Sequence, residues 1–463
     1  MDVFTVTGAI AALSAVFVVV YFMVSQRTSK TSSWPKTKQS LAYTRPVIPD
    51  TGRRYMLDSS LNNFIPVGGA TTVHDVARFF AQHGNKFSIF SIDWEQEVVV
   101  FTRPVDGTDL KKHPFFCEAQ KQSAAEVLCV PLEQLQDVAN TVADKAAHVQ
   151  EVFIFMTGRC GTTLVTRLAE ATSVAQAVNE PYVFTDISMG IHRLKRSSQR
   201  GHTQNCPTML SNEETTVTFL RNVVTLLNHS LVTSDPGRRD VIFYKLQPSA
   251  IMMADLIART FPTAKTVFMY RNGLEFSESM TRIFFQKYMV YVAIWSMECL
   301  RLWNLSGELP DYIRCFGDDP KFSTLRHRGS LMFYIDTWWA SVMQHAANLQ
   351  SKQPAYFFHA IIYYSALLND KEKTFGLLMR KLGLKWNPEN KGEDTNKMKK
   401  AFVEDSQAGT TLSGKRRSPG EKWAADVSPR WTGRWELDYL REVCRHTGNE
   451  ITGPDFLLPE TIL

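Results

Sequence analysis

The spacing of hydrophobic and polar positions changes along the chain and divides it into regions. Residues 3–26 carry no charge, and residues 4–24 are mostly apolar. A run of this length can cross a bilayer of ~30 Å, so residues 1–26 are expected to form an uncleaved membrane anchor. Residues 27–59 are rich in Ser, Thr, Lys and Pro without an apolar period, which predicts a flexible stem.

Residues 60–147 predict a small α+β region. Apolar positions in 72–83 recur with a helical period, and 86–103 contains two strand-like runs typical of a hairpin. Helical patterns follow at 118–128 and 132–147. None of these patterns indicates a catalytic or ligand-binding site.

From residue 148 onwards, short apolar runs alternate with helical patterns. This alternation predicts parallel strands joined by crossover helices. We therefore expect an α/β fold over 148–387: three layers with a central parallel sheet, preceded by one transmembrane helix and the α+β region. Residues 388–463 form a C-terminal extension in this interpretation. In chain order, the first four strands expected in this sheet are Val152–Met156, Ala175–Val178, Val241–Leu246 and Thr266–Tyr270.

Composition excludes few classes of protein. Hydrophobic residues make up 44% and charged residues 21% of the 463 positions, which is ordinary for a globular chain. The net charge of +6 is mild, and no basic stripe indicates nucleic acid; the densest run is Lys415–Arg417. The seven cysteines show no CxxC spacing, and no metal site is expected.

Membrane orientation has two conflicting signals. Basic residues follow the apolar run, and the positive-inside rule then places the bulk of the chain in the cytoplasm. Two glycosylation sequons, at Asn228 and Asn304, have a function only in a lumen. Both orientations stay open at this point.

One stretch has the pattern of a phosphate-binding loop. An apolar run ends at Met156, a glycine-containing turn follows, and a helical pattern begins after it, which is the geometry that presents backbone N–H groups to an anion. The turn lacks the Lys-Ser/Thr ending of a Walker A loop, which argues against a magnesium-dependent kinase or NTPase. The alternative is a glycine turn capped by threonine. The turn consists of Thr157, Gly158, Arg159, Cys160, Gly161, Thr162 and Thr163.

Individual side chains of this turn suggest roles. Arg159 can neutralise a phosphate, and the two threonines can donate hydroxyl groups. Cys160 is interpreted as a small residue that fits a tight turn, with a nucleophilic role as the alternative.

Arg271 follows the strand Thr266–Tyr270 at the edge where α/β proteins bind ligands, and Ser279 lies eight residues later. These two residues predict a second phosphate site.

The two stretches together resemble the sulfotransferase family, whose donor is adenosine 3′-phosphate 5′-phosphosulfate. The 157–163 turn resembles the family's loop for the 5′-phosphosulfate, and Arg271 with Ser279 resembles its 3′-phosphate site. The Asn179-Glu-Pro181 sequence resembles Golgi-type, membrane-bound carbohydrate sulfotransferases. The resemblance covers roughly 150–385. Cys160 stands where members often have Ser or Gly, and residues 408–417 are aligned with the family's C-terminal loop.

The resemblance implies a mechanism and a location. Arg159 would stabilise the charge on the leaving phosphate, and Glu180 would act as the base that deprotonates the acceptor; the alternative for Glu180 is a turn cap. His192, His229 and Lys245 are weaker candidates. The implied protein is a glycosylated sulfotransferase of the Golgi membrane, held in the bilayer by residues 4–24, with a lumenal catalytic domain. Its acceptor would be a hydroxyl or amine, on a glycan. The alternatives are a catalytically silent P-loop-fold binding protein and a P-loop kinase or NTPase.

Overall fold

Two compact units make up the chain. We call Trp34–Arg271, His345–Trp423 and Leu457–Leu463 the sheet unit, and Met1–Ser33, Asn272–Gln344 and Ala424–Phe456 the helical unit. The computed structural model describes residues 34, 38–50, 60–200, 208–235, 237, 239–285, 288–299, 309–326, 331–352, 357–386, 393–404, 431–448 and 451–463.

The first half of the sheet unit contains an antiparallel sheet. Its strands are β1 (Ala42–Pro49), β2 (Phe64–Pro66), β3 (Thr71–Val73), β4 (Ser88–Asp93), β5 (Val98–Pro104) and β6 (Ala124–Pro131). They pair in the order β2-β1-β6-β5-β4, with β3 beside β1. The helices of this region are α1 (Val76–His83), α2 (Phe116–Ser123), α3 (Leu135–Asn140) and α4 (Ala143–Ala146). The β4–β5 hairpin confirms the prediction for 86–103.

Two expectations for this region are wrong in part. The predicted helix at 118–128 ends at Ser123, and β6 takes its second half. Backbone hydrogen bonds to β5 on one side and β1 on the other stabilise this apolar segment as a strand, which local periodicity does not show. Strand β1 also lies inside the segment expected to be a flexible stem, because pairing with β6 orders this part of it.

The second half of the sheet unit contains the predicted parallel sheet. Its strands are β7 (Gln150–Met156), β8 (Ala175–Asn179), β9 (Val241–Lys245), β10 (Lys265–Tyr270), β11 (Ala360–Tyr363) and β12 (Thr461–Ile462). They run in the order β12-β11-β10-β7-β9-β8, and every pairing is parallel. This confirms the α/β fold with a parallel sheet.

Helices cover both faces of this sheet, as alternate residues of β7 show. Ile154 packs in a core with Val165 and Leu378, whereas Phe153 on the opposite face packs against Phe184 and Phe261. The remaining helices are α5 (Thr162–Glu170), α6 (Val183–Arg200), α7 (Glu213–Ser234), α8 (Ala254–Thr260), α9 (Gly273–Phe285), α10 (Tyr288–Cys299), α11 (Asp311–Gly317), α12 (Leu331–Lys352), α13 (Tyr364–Asn369), α14 (Lys371–Lys381), α15 (Glu393–Val403) and α16 (Arg434–His446).

Polar side chains connect elements inside the helical unit. Glu278 on α9 is buried and accepts hydrogen bonds from the backbone N–H groups of Trp431 and Thr432. Arg282, one turn later on α9, pairs with the same carboxylate. This cluster fixes the chain just before α16 to helix α9.

The expectation that the fold begins with a transmembrane helix is corrected. Within the described part of the chain, no helix combines the length and apolar character needed to cross a membrane. The apolar run at 4–24 itself lies outside the described residues. An apolar sequence is only one requirement of a membrane span. The span must also be one continuous helix whose backbone N–H and C=O groups hydrogen-bond within the helix.

Candidate functional site

The carboxyl edge of the parallel sheet brings the polar residues of the sheet unit together. Ile154 on β7 lies opposite Lys245 on β9, which in turn lies opposite Asn179 on β8. Met156 at the end of β7 lies opposite Met269 on β10. The turn after β7, Glu180 after β8, and Arg271 after β10 therefore emerge at the same edge, the usual ligand edge of such folds.

The turn between β7 and α5 is tightly wound. Gly158, Arg159 and Gly161 all have positive φ, at 98°, 53° and 81°. No side chain caps α5 at Gly161, so the first N–H groups of the helix are open to an anion. The Thr157 N–H donates to the Met269 carbonyl at 3.1 Å and fastens the turn to β10.

Cys160 belongs to the core beneath this turn. Its thiol is fully buried among the apolar residues of α5 and β10 and lies 3.3 Å from the Met269 carbonyl, to which it donates. Burial raises the pKa of the thiol, so the thiolate needed for nucleophilic attack is disfavoured. The residue fills space under the turn, as the interpretation of a small residue in a tight turn expects.

Arg271 braces the turn from β10. Its Nη1 donates to the Arg159 carbonyl at 3.1 Å, and its guanidinium lies 4.7 Å from the ring centroid of Tyr364. Tyr364 opens helix α13, directly after β11. The aromatic face and the carbonyl hold a largely buried cation beside the turn.

A buried ion pair lies on the other side of the turn. The Lys245 ammonium is 2.6 Å from Glu180 Oε1 and donates to the Thr163 hydroxyl at 3.0 Å. The Glu180 N–H donates to the Lys245 carbonyl at 2.8 Å, so backbone and side chains join the two residues. An ammonium group thus reaches the start of α5 from β9, although the turn itself carries no lysine.

This edge can bind an anion and also contains a carboxylate next to it. Residues 151–309, about a third of the chain, match the family model described as Sulfotransferase family. This segment is therefore similar to the sulfotransferase family. The match includes the turn, the Glu180–Lys245 pair and Arg271, and the chain is accordingly a transferase.

Solved structures resemble this transferase only distantly. Sulfotransferase STF1 from Mycobacterium tuberculosis H37Rv has 13% identity over 57% of this chain and 78% of that chain, with a TM-score of 0.27. A sulfotransferase from Alicyclobacillus acidocaldarius has 13% identity over 64% and 96%, with a TM-score of 0.27. Sulfotransferase STF9 from Mycobacterium avium has 10% identity over 70% and 86%, with a TM-score of 0.30. Scores of this size carry no argument about chemistry. A comparison with curated proteins found no match.

The transferase places its other predicted site residues in different surroundings. The Thr162 hydroxyl contacts the Met156 sulfur at 3.1 Å. Ser279 is partly buried on α9, in the helical unit. His229 is buried on α7 near Phe80, and burial lowers its pKa to about 4. The loop aligned at 408–417 lies outside the described residues.

Three residues of the site carried little or no signal in the sequence. Lys245 ends an apolar strand, and a charge in that position is a weak indicator. Tyr364 and Phe115 look like ordinary core aromatics, yet Tyr364 stacks on Arg271 and the ring of Phe115 lies 5.4 Å from the Lys245 ammonium. No sequence pattern marks these contacts, because each joins segments far apart in the chain.

Two further predictions depend on side-chain burial. Asn228 is buried, donates to Glu151 at 2.8 Å and accepts from Tyr244 at 2.5 Å, so the folded chain has no room for a glycan there. Asn304 lies outside the described residues.

Among the described residues, no group of three or more His, Cys, Asp or Glu is placed to hold a metal ion. Cys117, Cys129, Cys160, Cys315 and Cys444 are free thiols.

Proposed function

We propose that the enzyme transfers a sulfuryl group from adenosine 3′-phosphate 5′-phosphosulfate to an acceptor hydroxyl or amine, on a glycan. The observation that supports it most is the Glu180–Lys245 ion pair beside Thr163, inside the segment that matches the family. The pair combines a carboxylate that can accept a proton with a cation that can stabilise negative charge.

The donor is proposed to bind along the turn after β7. Uncapped N–H groups at the start of α5 and the cations Arg159 and Lys245 suit a phosphosulfate. Arg271 and Ser279 are proposed for the 3′-phosphate. Arg271 is already oriented by Tyr364, so part of the cost of ordering its side chain is met before the donor arrives.

In the proposed transfer, an oxygen or nitrogen of the acceptor attacks the sulfur in line. The new bond to sulfur forms as the bond from sulfur to the 5′-phosphate oxygen breaks. Glu180 accepts the proton of the acceptor, and Lys245 and Arg159 stabilise the charge that develops on the departing phosphate. Adenosine 3′,5′-bisphosphate and the sulfated acceptor are the products.

Two substitutions of the pair test this proposal on the full chain, with sulfur-labelled donor and a panel of glycans and small hydroxyl compounds. Glu180→Gln should lower kcat by about 10²-fold or more with little change in donor affinity. Lys245→Met should lower kcat by a similar factor. Lys112→Ala is the matched control, because this lysine is 84% exposed and lies outside the site.

Several results would contradict the proposal. They are the absence of transfer to every acceptor in the panel, donor binding that Arg159→Ala and Arg271→Ala leave unchanged, or full activity in Glu180→Gln. Donor binding without transfer would favour the catalytically silent protein. A Golgi location is proposed with the glycan acceptor, on the family resemblance alone, and staining of the tagged full chain against a Golgi marker tests it.

A further inference from the structure

A segment outside the family match lies against the Glu180–Lys245 pair. Phe115 precedes helix α2, in the region of the antiparallel sheet, and is 5% exposed. Its ring lies 5.4 Å from the Lys245 ammonium. The family model begins only at residue 151, so the match gives no role to this aromatic residue.

The surroundings of the ammonium explain what the ring does. Lys245 is 2% exposed, which removes most of the water that would otherwise solvate its charge. A lysine ammonium has three protons. Within the described part of the chain, its contacts include the Glu180 carboxylate, the Thr163 hydroxyl and the face of Phe115. The negative face of an aromatic ring stabilises a desolvated cation more than a neutral amine.

The same segment also packs against the chain that carries Glu180. Phe115 and Cys117 form an apolar cluster with Tyr182, two residues beyond Glu180. Burial raises the pKa of Cys117, and the negative charges of Glu118 and Glu180 raise it further. The Glu180 carboxylate is therefore within electrostatic range of α2.

Glu180 needs such support because its backbone is unusual. Its φ is 56°, in the left-handed region that few residues other than glycine adopt, and proline follows it. Such a conformation persists only where the surrounding structure enforces it, and it occurs often at functional sites. The hydrogen bond to the Lys245 carbonyl holds Glu180 from β9, and the cluster around Tyr182 holds the following residues from α2.

We infer that Phe115 is a positioning residue for the Glu180–Lys245 pair, so that the antiparallel region completes the reaction centre of the family segment. The inference rests on the proposed function, because it assigns Phe115 a part in the chemistry of that pair. Phe115 acts through Lys245: its ring holds the ammonium in place against Glu180 and Thr163, and it keeps water from that side.

The test varies the electron density of the ring at constant shape. Phenylalanine with one, two and three ring fluorines is incorporated at position 115 of the full chain, and kcat, KM for the donor and the pH profile are measured. Each fluorine weakens the negative face of the ring while the packing stays nearly the same. We expect kcat to fall stepwise, to about a tenth for the trifluoro residue, with KM for the donor unchanged.

Position 116 supplies the matched control. Phe116 is also buried and lies next to Phe115, at the start of α2. The fluorinated series there should leave kcat and the profile unchanged. Phe115→Leu removes the ring and should lower kcat with KM for the donor unchanged, and thermal unfolding reports whether this variant is folded. The pH profile is interpreted against the charged and titratable groups around the pair and around Cys117, namely Cys160, Arg271, Cys117, Glu118 and Lys121.

The outcomes separate the two levels of inference. An unsubstituted chain that transfers no sulfuryl group contradicts the proposed function itself. An active chain whose kcat does not respond to fluorination at 115, or responds equally at 115 and 116, contradicts the role of Phe115 and leaves the proposed function standing.

Discussion

Asp336 shows how much a single buried carboxyl can influence this protein. It is fully buried in the helical unit, and its Oδ1 accepts a hydrogen bond from Ser277 at 2.5 Å, whereas its Oδ2 is buried without a hydrogen-bond partner. Burial, with a smaller contribution from Glu436, raises its pKa to about 8. The folded protein therefore holds Asp336 protonated at neutral pH, where the unfolded chain releases that proton.

The raised pKa of Asp336 determines how the stability of the protein changes with pH. Between about pH 4 and pH 8 the folded state binds more protons than the unfolded state, so stability falls as pH rises, on the order of 1 kcal/mol per pH unit from this group. Asp336→Asn removes the ionisation. It should raise the free energy of unfolding at pH 8 and change it little at pH 5, as measured by denaturant titration at both values.

The exposed residue Asp438 is a suitable control for this measurement. Its side chain is 58% exposed on α16, so Asp438→Asn should have the same small effect at both pH values. Equal effects of Asp336→Asn at pH 5 and pH 8 would show that the Asp336 carboxyl is not protonated in the folded protein.

At the scale of elements, the junction between the turn and α5 depends on one glycine. Gly161 has a φ of 81°, and an added Cβ would lie 2.8 Å from Leu367 Cδ2 and 3.0 Å from Tyr364 Cε2. Both neighbours belong to α13, and Tyr364 also stacks on Arg271. Gly161 thus lets α13 pack directly against the start of α5, which brings Arg271 and the turn together.

Gly161→Ala should therefore disturb both stability and binding. The left-handed backbone costs roughly 1 kcal/mol for alanine, and the overlap with α13 adds about 1–3 kcal/mol. We expect a loss of about 2–4 kcal/mol in the free energy of unfolding and weaker binding of adenosine 3′,5′-bisphosphate, measured by calorimetry.

Gly107 separates the two causes. Its φ is 82°, and nothing lies within 4 Å of its added Cβ. Gly107→Ala should show the backbone cost alone, about 1 kcal/mol, with nucleotide binding unchanged. If Gly161→Ala and Gly107→Ala lowered the free energy of unfolding equally, the overlap with α13 would make no contribution to the loss.

The elements also show what periodicity can predict. The long apolar run of β7 is expected for a parallel strand covered on both faces, and its bounds agree closely with the prediction. Residues 124–128 lie inside the helix predicted at 118–128, but they form the first part of strand β6. The identity of β6 as a strand depends on its partners β1 and β5, and the paired residues of β1 lie 80–86 positions away in the sequence.

At the scale of the molecule, the antiparallel region and residues 151–271 of the family match share one compact unit. The Ile92 N–H donates to Asp186 on α6 at 2.8 Å, and Asn222 on α7 donates to Gln136 on α3 at 2.9 Å. Phe80 and Trp94 lie against His229 and Phe219 of α7. The helices of the family segment therefore bury one side against the region that precedes them.

Removal of that region should abolish folding of the remainder. A fragment of residues 148–463 retains every residue of the family match but exposes the apolar side of α6 and α7 to water. We expect it to be insoluble or to lack cooperative unfolding, whereas residues 34–463 should unfold cooperatively and bind the donor. A well-folded, donor-binding 148–463 fragment would contradict this prediction and would also weaken the role inferred for Phe115.

The candidate site was predictable where its chemistry is local in sequence. The turn from Thr157 to Thr163 follows its strand directly, Glu180 and Arg271 follow theirs, and strand ends of a parallel sheet meet at one edge. The family comparison covers these same positions. The partners of these residues were not predictable, since Tyr364 and Phe115 are indistinguishable by pattern from core aromatics.

The sequence by itself determined the parallel α/β sheet, the position of the glycine-containing turn after β7 and the similarity of that segment to a known family, because backbone periodicity and a short contiguous motif encode them. Only the tertiary structure decided that Lys245 pairs with Glu180, that Cys160 is a buried core residue, that Asn228 is inaccessible, and that the antiparallel region borders the site. The physical reason is that burial and ion pairing depend on segments brought together by folding, such as Phe115 and Lys245, which lie 130 residues apart in the chain.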